Sequence, residues 1–150
     1  MKKIFVLILI TFVYGCGYTS LYKEMKDDLK INVVSMKGDF EINNFIKNNL
    51  RISSKKNSLN IHNITFETKY KKITLAKNAT GEATDYNLEM SVKFIITSSN
   101  NKQLEFKESF KIKKNNDNFE QSNYEKEIKR NFSEIVGEKL IINLKKISDS

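Results

Sequence analysis

The sequence predicts an α+β domain, with a four-stranded, mostly antiparallel sheet and two helices packed on one of its faces. Three observations lead to this fold class. Apolar and polar residues alternate strictly from Asp85 to Phe94, which is typical of an antiparallel strand with one buried face. Two stretches, Phe40–Leu50 and Tyr124–Ile147, repeat their apolar residues at helical spacing. Short polar segments separate the predicted strands, so the element order is β-α-β-β-β-α.

The first strand and the first helix are predicted from the residues that follow Leu29. Alternating apolar residues predict a strand over roughly Lys30–Met36. Gly38 ends this strand, and Asp39 is a suitable N-cap for a helix that continues to about Arg51. The apolar stripe of that helix consists of Phe40, Ile42, Phe45, Ile46 and Leu50.

Two strands joined by a tight turn come next. The first covers about Leu59–Ala76, and its apolar residues change from even to odd positions. That change predicts a bulge or a strong bend near Lys71–Lys72. A turn over Asn78–Gly81 leads to the strand with the clearest alternation. Its core-facing residues are Tyr86, Leu88, Met90, Val92, Phe94 and Ile96, and we expect Tyr86 and Phe94 to be core residues rather than a ligand platform.

The last strand and the closing helix complete the predicted domain. After a polar turn over Ser98–Lys102, the strand directs Leu104, Phe106, Phe110 and Ile112 to the core. Glu108 is a charged exception on this apolar face. The Ser-x-x-Glu pattern of Ser122–Glu125 is a capping box, which predicts a helix over about Asn123–Ile147. Gly137 is a mild weakness within that helix.

The first fifteen residues have the pattern of a secretory signal peptide. A basic start at Lys2 and Lys3 precedes an apolar run of about ten residues, and a small residue, Gly15, stands at the expected cleavage point. A bilayer-spanning helix needs about 20 apolar residues, so this run is too short to span a membrane. We therefore expect a leader over residues 1–15, a tether over 16–28 and a single domain over 29–150.

Cys16 is the only cysteine of the chain. Val13-Tyr14-Gly15-Cys16 resembles a bacterial lipobox, in which the peptidase cuts before the cysteine and the thiol carries a lipid. Tyr14 departs from this pattern, because small residues are usual at its position. The resemblance implies a covalent diacylglycerol and a fatty acyl chain on Cys16. The alternative is a free cysteine near an ordinary cleavage site.

The chain is strongly basic, with a formal net charge of +8. A basic surface can bind nucleic acid, anionic lipid or a phosphate-bearing glycolipid, and export makes nucleic acid the least expected of these partners. The excess is almost wholly lysine and accompanies abundant Asn and Ile, as in an AT-rich genome. Codon usage therefore remains an alternative to selection for an anionic ligand.

The residue pattern does not predict an enzyme. His62 is the only histidine, and a packing or surface role is expected for it. With one cysteine and one histidine the chain has no set of metal ligands, and with five glycines it has no glycine-rich phosphate loop. Carboxylates such as Glu105 and Glu108 lie among lysines and are expected to be solvated cross-strand charges. We expect neither cofactor nor metal.

The mature sequence resembles the LPS-assembly lipoprotein family LptE, in its alphaproteobacterial form. The likeness rests on the Cys-Gly-aromatic opening of Cys16–Tyr22, which contains the Leu-Tyr pair of that branch. It also rests on the element order, on the turn and alternating strand of Asn78–Phe94, and on the long closing helix.

The resemblance implies a lipoprotein on the periplasmic face of the outer membrane. Its domain would act as a plug in the LptD β-barrel, would help that barrel to assemble, and would assist the transport of lipopolysaccharide to the outer leaflet. Some members of the family bind lipopolysaccharide directly. The alternative is another small periplasmic lipoprotein that acts as an adaptor or as a lipid- or protein-binding module.

Three lysines are candidates for binding lipopolysaccharide. Lys77 matches a basic turn position of the family, and Lys113 and Lys114 end the last strand in a loop that could adjoin that turn. Lysine side chains form charge-assisted hydrogen bonds with phosphate groups. The alternative is that all three are ordinary solvated lysines of a lysine-rich chain.

Overall fold

A computed structural model of the protein describes residues 29–54, 58, 60–97 and 101–148. The six elements follow the predicted order and are β1 (Lys30–Lys37), α1 (Phe40–Ser53), β2 (Ile61–Lys77), β3 (Ala83–Thr97), β4 (Lys102–Lys113) and α2 (Asn118–Ser148). The predicted leader, Cys16 and the tether lie outside the described residues.

The four strands form one mixed sheet in the order β1-β2-β3-β4. β1 runs parallel to β2, while the β2–β3 and β3–β4 pairs are antiparallel. α1 makes the connection that a parallel pair of strands requires. The predicted fold class is confirmed, since the two helices cover the core-facing side of this sheet.

The core lies between the sheet and the two helices. β3 contributes alternate residues, as its sequence predicts, and Phe94 packs against Phe66 and Phe106 with ring centroids 5.5 and 6.1 Å apart. Phe94 is fully buried, whereas Tyr86 is half-buried. The fully buried apolar residues of the helices include Ile42, Ile46, Phe132, Val136, Leu140 and Leu144. Burial of each such side chain stabilises the fold by about 1.5–3 kcal/mol before the entropy of ordering is subtracted.

The N-terminus of α1 is held by its predicted cap and by a lysine of α2. The Ile42 N–H donates to Asp39 Oδ1 at 2.9 Å. The nearly buried Lys129 ammonium lies 3.0 Å from Asp39 Oδ2, 2.9 Å from Glu41 Oε2 and 4.1 Å from the centroid of the Tyr70 ring. Burial alone would lower the pKa of Lys129, but the hydrogen bonds to Glu41 and Asp39 outweigh it and raise that pKa.

The predicted bulge near Lys71–Lys72 is wrong. β2 pairs with β3 without interruption from Asn63 to Thr74, and the register shifts only around Ala76. β1 pairs with β2 only as far as Glu67, and every β2 residue from Lys71 onward is exposed. The apolar residues change from even to odd positions because the second half of β2 extends beyond the packed core. Neither face of that half has to be apolar, since neither is buried.

The predicted capping box at Ser122–Glu125 is also wrong. α2 begins at Asn118, and Asp117 caps it, because its Oδ1 accepts the N–H groups of Phe119 at 2.7 Å and Glu120 at 3.3 Å. Ser122 therefore lies inside the helix. Glu125 turns towards β2 instead, where it accepts hydrogen bonds from Tyr70 and Lys72.

Candidate anion-binding end of the sheet

The structure brings the three predicted lysines to one end of the sheet. Lys77 is the last residue of β2 and pairs with Ala83, and Lys113 pairs with Asp85 on the other side of β3. The Lys114 N–H donates to the Thr84 carbonyl at 2.8 Å, which extends the β3–β4 pairing by one bond. All three side chains are exposed. We call Lys77, Lys113 and Lys114 the basic end.

The turn that follows Lys77 is fixed by Asn78. Its Oδ1 accepts hydrogen bonds from the N–H groups of Thr80 at 3.1 Å and Glu82 at 2.9 Å, and from the Thr80 hydroxyl at 2.7 Å. Gly81 supplies the positive φ, +85°, that closes the turn. Lys77 is thus held next to a locally ordered turn.

An open depression of about 490 Å³ adjoins Lys113 and Lys114. It is lined by Lys111, Ile112, Lys113, Lys114, Asn115, Asn116, Gln121 and Tyr124. Gln121 orders its rim, because its Oε1 accepts the Asn115 N–H at 2.6 Å. Lysine, amide and phenol groups together offer several donors to an anionic ligand. Two carboxylates adjoin the basic end: Asp85 pairs with Lys113 in the strand register, and Glu82 Oε2 accepts from Asn78 Nδ2 at 3.3 Å in the turn after Lys77.

Lys72 is engaged within the fold and does not extend the basic end. Its ammonium lies 2.5 Å from Glu125 Oε1 and 4.1 Å from the centroid of the Tyr86 ring. Glu125 also accepts from Gln121 at 2.7 Å and from the Tyr70 hydroxyl at 3.1 Å. Burial opposes ionisation of this carboxyl, but the hydrogen bonds from Lys72, Gln121 and Tyr70 prevail and lower the pKa of Glu125.

The sequence interpretation missed Lys111, Gln121 and Tyr124. Lys111 could have been found from its position two residues before Lys113 on the same strand, since alternate residues share a face. Gln121 lies in the helix because α2 starts earlier than its sequence pattern predicts, whereas Tyr124 lies in the predicted helix but is 56% exposed. No local signal marks them.

The sheet face opposite the helices is rich in charged residues. Glu67, Lys93 and Glu105 form one row across β2, β3 and β4, and Lys69, Ser91 and Lys107 form the next. Exposed ion pairs run along the strands, with 3.0 Å between Lys107 Nζ and Glu105 Oε1 and 3.7 Å between Lys69 Nζ and Glu67 Oε1. This face is in contact with solvent over the described part of β2, β3 and β4.

His62 has a packing position at the other end of the sheet. It is 7% exposed, its Nε2 lies 3.0 Å from Ser148 Oγ at the end of α2, and burial lowers its pKa. In the described ranges, no group of three or more His, Cys, Asp or Glu side chains could hold a metal ion. No helix in this part of the chain combines the length and hydropathy that a membrane span requires.

No protein-family model matches the chain, and no curated protein matches it in sequence. Solved bacterial lipoproteins share its fold. The crystal structure of rare lipoprotein B from Shewanella oneidensis superposes with a TM-score of 0.56 at 12% identity, over 78% of this chain and 96% of that one. The solution structure of lipoprotein B from Nitrosomonas europaea superposes with a TM-score of 0.53 at 11% identity, over 82% of this chain and 88% of that one.

The protein has the fold of these bacterial lipoproteins. At such low identity the likeness concerns the fold and not the role of any residue. The shared fold spans 96% of the Shewanella structure and 78% of this chain, so the likeness concerns most of the domain rather than one supersecondary motif.

Proposed function

We propose that this protein is an outer-membrane lipoprotein of the LptE type. Its domain plugs an LptD-type β-barrel from the periplasmic side and assists lipopolysaccharide transport to the outer leaflet. The observation that carries the proposal is the fold, which is shared with two bacterial lipoproteins along most of their length. The lipobox-like sequence at Cys16 and the resemblance of the mature chain to LptE support the same assignment.

The outer face of the sheet supports a plug inside a wet barrel. The interior of a large outer-membrane barrel is polar. The outer-face rows that contain Lys93 and Lys107 can exchange their solvent contacts for contacts with polar groups of a barrel wall. A plug also has to fold compactly by its own core, and the buried residues between sheet and helices provide that core.

The basic end supports contact with the phosphates of lipid A. Lys77, Lys113 and Lys114 project from one end of the sheet, and Lys111 and Tyr124 line the adjoining depression. The ammonium groups are exposed, so a phosphate can reach them without displacing a packed side chain. This arrangement suits a headgroup held at the surface rather than a ligand enclosed in a cavity.

The barrel partner is tested by co-purification of the full chain, tagged at its C-terminus, from the source cells in detergent. We expect an LptD-type barrel to co-purify in equal amount. A chain that purifies alone, or with a different envelope protein, contradicts the plug and favours the adaptor alternative. Mass spectrometry of the same sample reads the lipid on Cys16.

The basic end is tested by the double variant Lys77→Glu with Lys113→Glu. We expect binding of purified lipopolysaccharide to weaken by about tenfold, because two charge-assisted contacts are replaced by repulsion. The matched control, Lys69→Glu with Lys107→Glu, makes the same charge change on the middle of the outer face. Equal losses in the two variants would show a general effect of charge, and unchanged binding in the first would remove these lysines from the site. Urea unfolding checks that both variants fold.

A further inference from the structure

The sheet has two edge strands of different character. Within the described residues, β1 pairs only with β2, and β4 pairs only with β3. β1 is 8 residues long, and its register shifts between Val33 and Ser35, so Val34 forms an irregularity in the edge. Short and bulged edges resist pairing with another chain. β1 is therefore a protected edge.

β4 lacks both of these protections. It is 12 residues long and pairs with β3 residue by residue from Lys102 to Lys113 without a shift. The chain contains no proline that could interrupt the edge. Leu104, Phe106 and Phe110 are only half-buried along its core-facing side. A long regular edge with half-exposed apolar side chains is a template for an incoming strand.

A second copy of β4 can pair with this edge in an antiparallel register centred on Glu108. Directly opposed residues of antiparallel strands point to the same face, so core-facing residues must oppose core-facing residues. The register that sets Phe106 against Phe110 also sets Leu104 against Ile112. On the outer face the same register opposes Glu105 to Lys111. Apolar and charged pairs are thus both complementary in it.

Glu108 is the exception in that register, because it would stand opposite Glu108 of the second copy. Its carboxylate has one ion-pair partner in the described part of the chain, Lys139, at 3.7 Å, and the two side chains are 32% and 49% exposed. A second strand would remove water from two carboxylates that face each other. Like charges directly opposed destabilise a strand pair, and desolvation adds to that cost.

We propose that the β4 edge is self-complementary and that Glu108 prevents it from pairing with a second copy of this chain. The inference concerns contacts between copies of the protein and does not depend on the barrel or on lipopolysaccharide. An inward-pointing charge on an otherwise regular edge is one of the ways in which sheet proteins avoid association.

The test uses a charge swap in the full chain, purified in detergent. Wild type and Glu108→Lys are each expected to be monomeric, because each places like charges opposite each other. An equimolar mixture places Glu108 opposite the new lysine and is expected to form a heterodimer. We expect its apparent dissociation constant to lie about tenfold below that of either protein alone. Light scattering coupled to size exclusion measures the masses.

Two further variants keep the result interpretable. Glu108→Gln removes the repulsion without adding a charge and is expected to self-associate more tightly than wild type. If circular dichroism shows that Glu108→Lys does not fold, the comparison of Glu108→Gln with wild type tests the proposal alone. Glu105→Lys makes the same charge change on the outer face of the same strand, and its mixture with wild type is expected to stay monomeric. A monomeric Glu108→Gln, or equal dimerisation with Glu105→Lys, would overturn the proposal.

Discussion

Glu125 links the first turns of α2 to the second half of β2. Its carboxylate accepts hydrogen bonds from Lys72 and Tyr70 of the strand and from Gln121 one helical turn earlier. These bonds favour the ionised form, and the pKa of Glu125 is accordingly lowered from its ordinary value of 4.5. Burial and the Glu125 carboxylate together raise the pKa of Tyr70, so that phenol keeps the proton it donates.

We predict that Glu125→Gln lowers the free energy of unfolding by about 1.5 kcal/mol at pH 7, since hydrogen bonds to a charged group are lost. A carboxyl whose pKa is lowered in the folded state stabilises the fold at pH values above the pKa that it has in the unfolded chain. This contribution disappears as the pH falls through the pKa of the folded state. The difference between wild type and variant should therefore shrink below about pH 4.5.

Urea unfolding at several pH values measures that difference. Glu127→Gln is the matched control, because Glu127 lies on the same helix in an exposed pair, 3.4 Å from Arg130. Its effect should stay within about 0.5 kcal/mol at every pH. A difference for Glu125→Gln that stays constant down to pH 3 would show that the hydrogen bonds do not depend on ionisation.

Single residues were the hardest level to predict. The spacing of Ser122 and Glu125 matches a capping box. A local pattern cannot reveal that Tyr70 and Lys72, from a strand distant in sequence, donate hydrogen bonds to the Glu125 carboxylate. Asp39 was predicted correctly as a cap, because Gly38 and the apolar stripe after it leave one place for the helix to begin.

The start of α2 can be tested with two alanine variants. Asp117→Ala removes the acceptor of two backbone N–H groups and should destabilise the protein by about 1 kcal/mol. Ser122→Ala should change stability by less than about 0.5 kcal/mol, because Ser122 is exposed inside the helix. Thermal unfolding compares them, and the opposite order of losses would place the helix start at the capping box.

The strands were predicted correctly where they cross the core, and the prediction was wrong where β2 extends beyond it. β3 alternates because one of its faces packs against helices along most of its length. β2 keeps that pattern only to Tyr70, and its exposed Ile73 and Leu75 carry no information about a buried face. The sequence thus predicts that β2 exists and that a turn follows it. That β2 is one uninterrupted strand is seen only from its pairing with β3.

At the scale of the whole molecule, one glycine lets the helical layer meet the sheet. Gly38 connects β1 to α1 with φ +101°, and a Cβ built there would lie 1.8 Å from the Thr68 carbonyl oxygen. Thr68 itself is buried, and its hydroxyl donates to Asn43 Oδ1 at 2.8 Å. The crossover from the first strand to the first helix therefore touches the backbone of β2.

We predict that Gly38→Ala destabilises the protein by more than about 3 kcal/mol, since backbone strain and a clash with backbone coincide. Gly81→Ala is the matched control. Gly81 also has positive φ, +85°, but nothing lies within 4 Å of the added Cβ, so the loss should be about 1–2 kcal/mol. Urea unfolding measures the free energy of unfolding of both variants. Similar losses would mean that the contact between the added Cβ and the Thr68 carbonyl does not destabilise the protein.

The arrangement of the candidate site was partly predictable at this scale. A meander brings the end of β2 and the end of β4 to the same end of the sheet, so Lys77 and Lys113 had to lie near each other once three antiparallel strands were predicted. The parallel pairing of β1 with β2 was not predicted, because nothing in the alternation of an isolated short strand specifies its direction.

The parallel direction of β1 also decides where the chain enters the domain. Leu29 leads into β1 beside Ile61, at the end of β2 that is remote from Lys77. β2 is 17 residues long, so the point of entry and the basic end are separated by roughly 50 Å. A lipid on Cys16 would therefore attach the chain at one end of an elongated body. The opposite, cationic pole would remain free to meet a second surface at the same time.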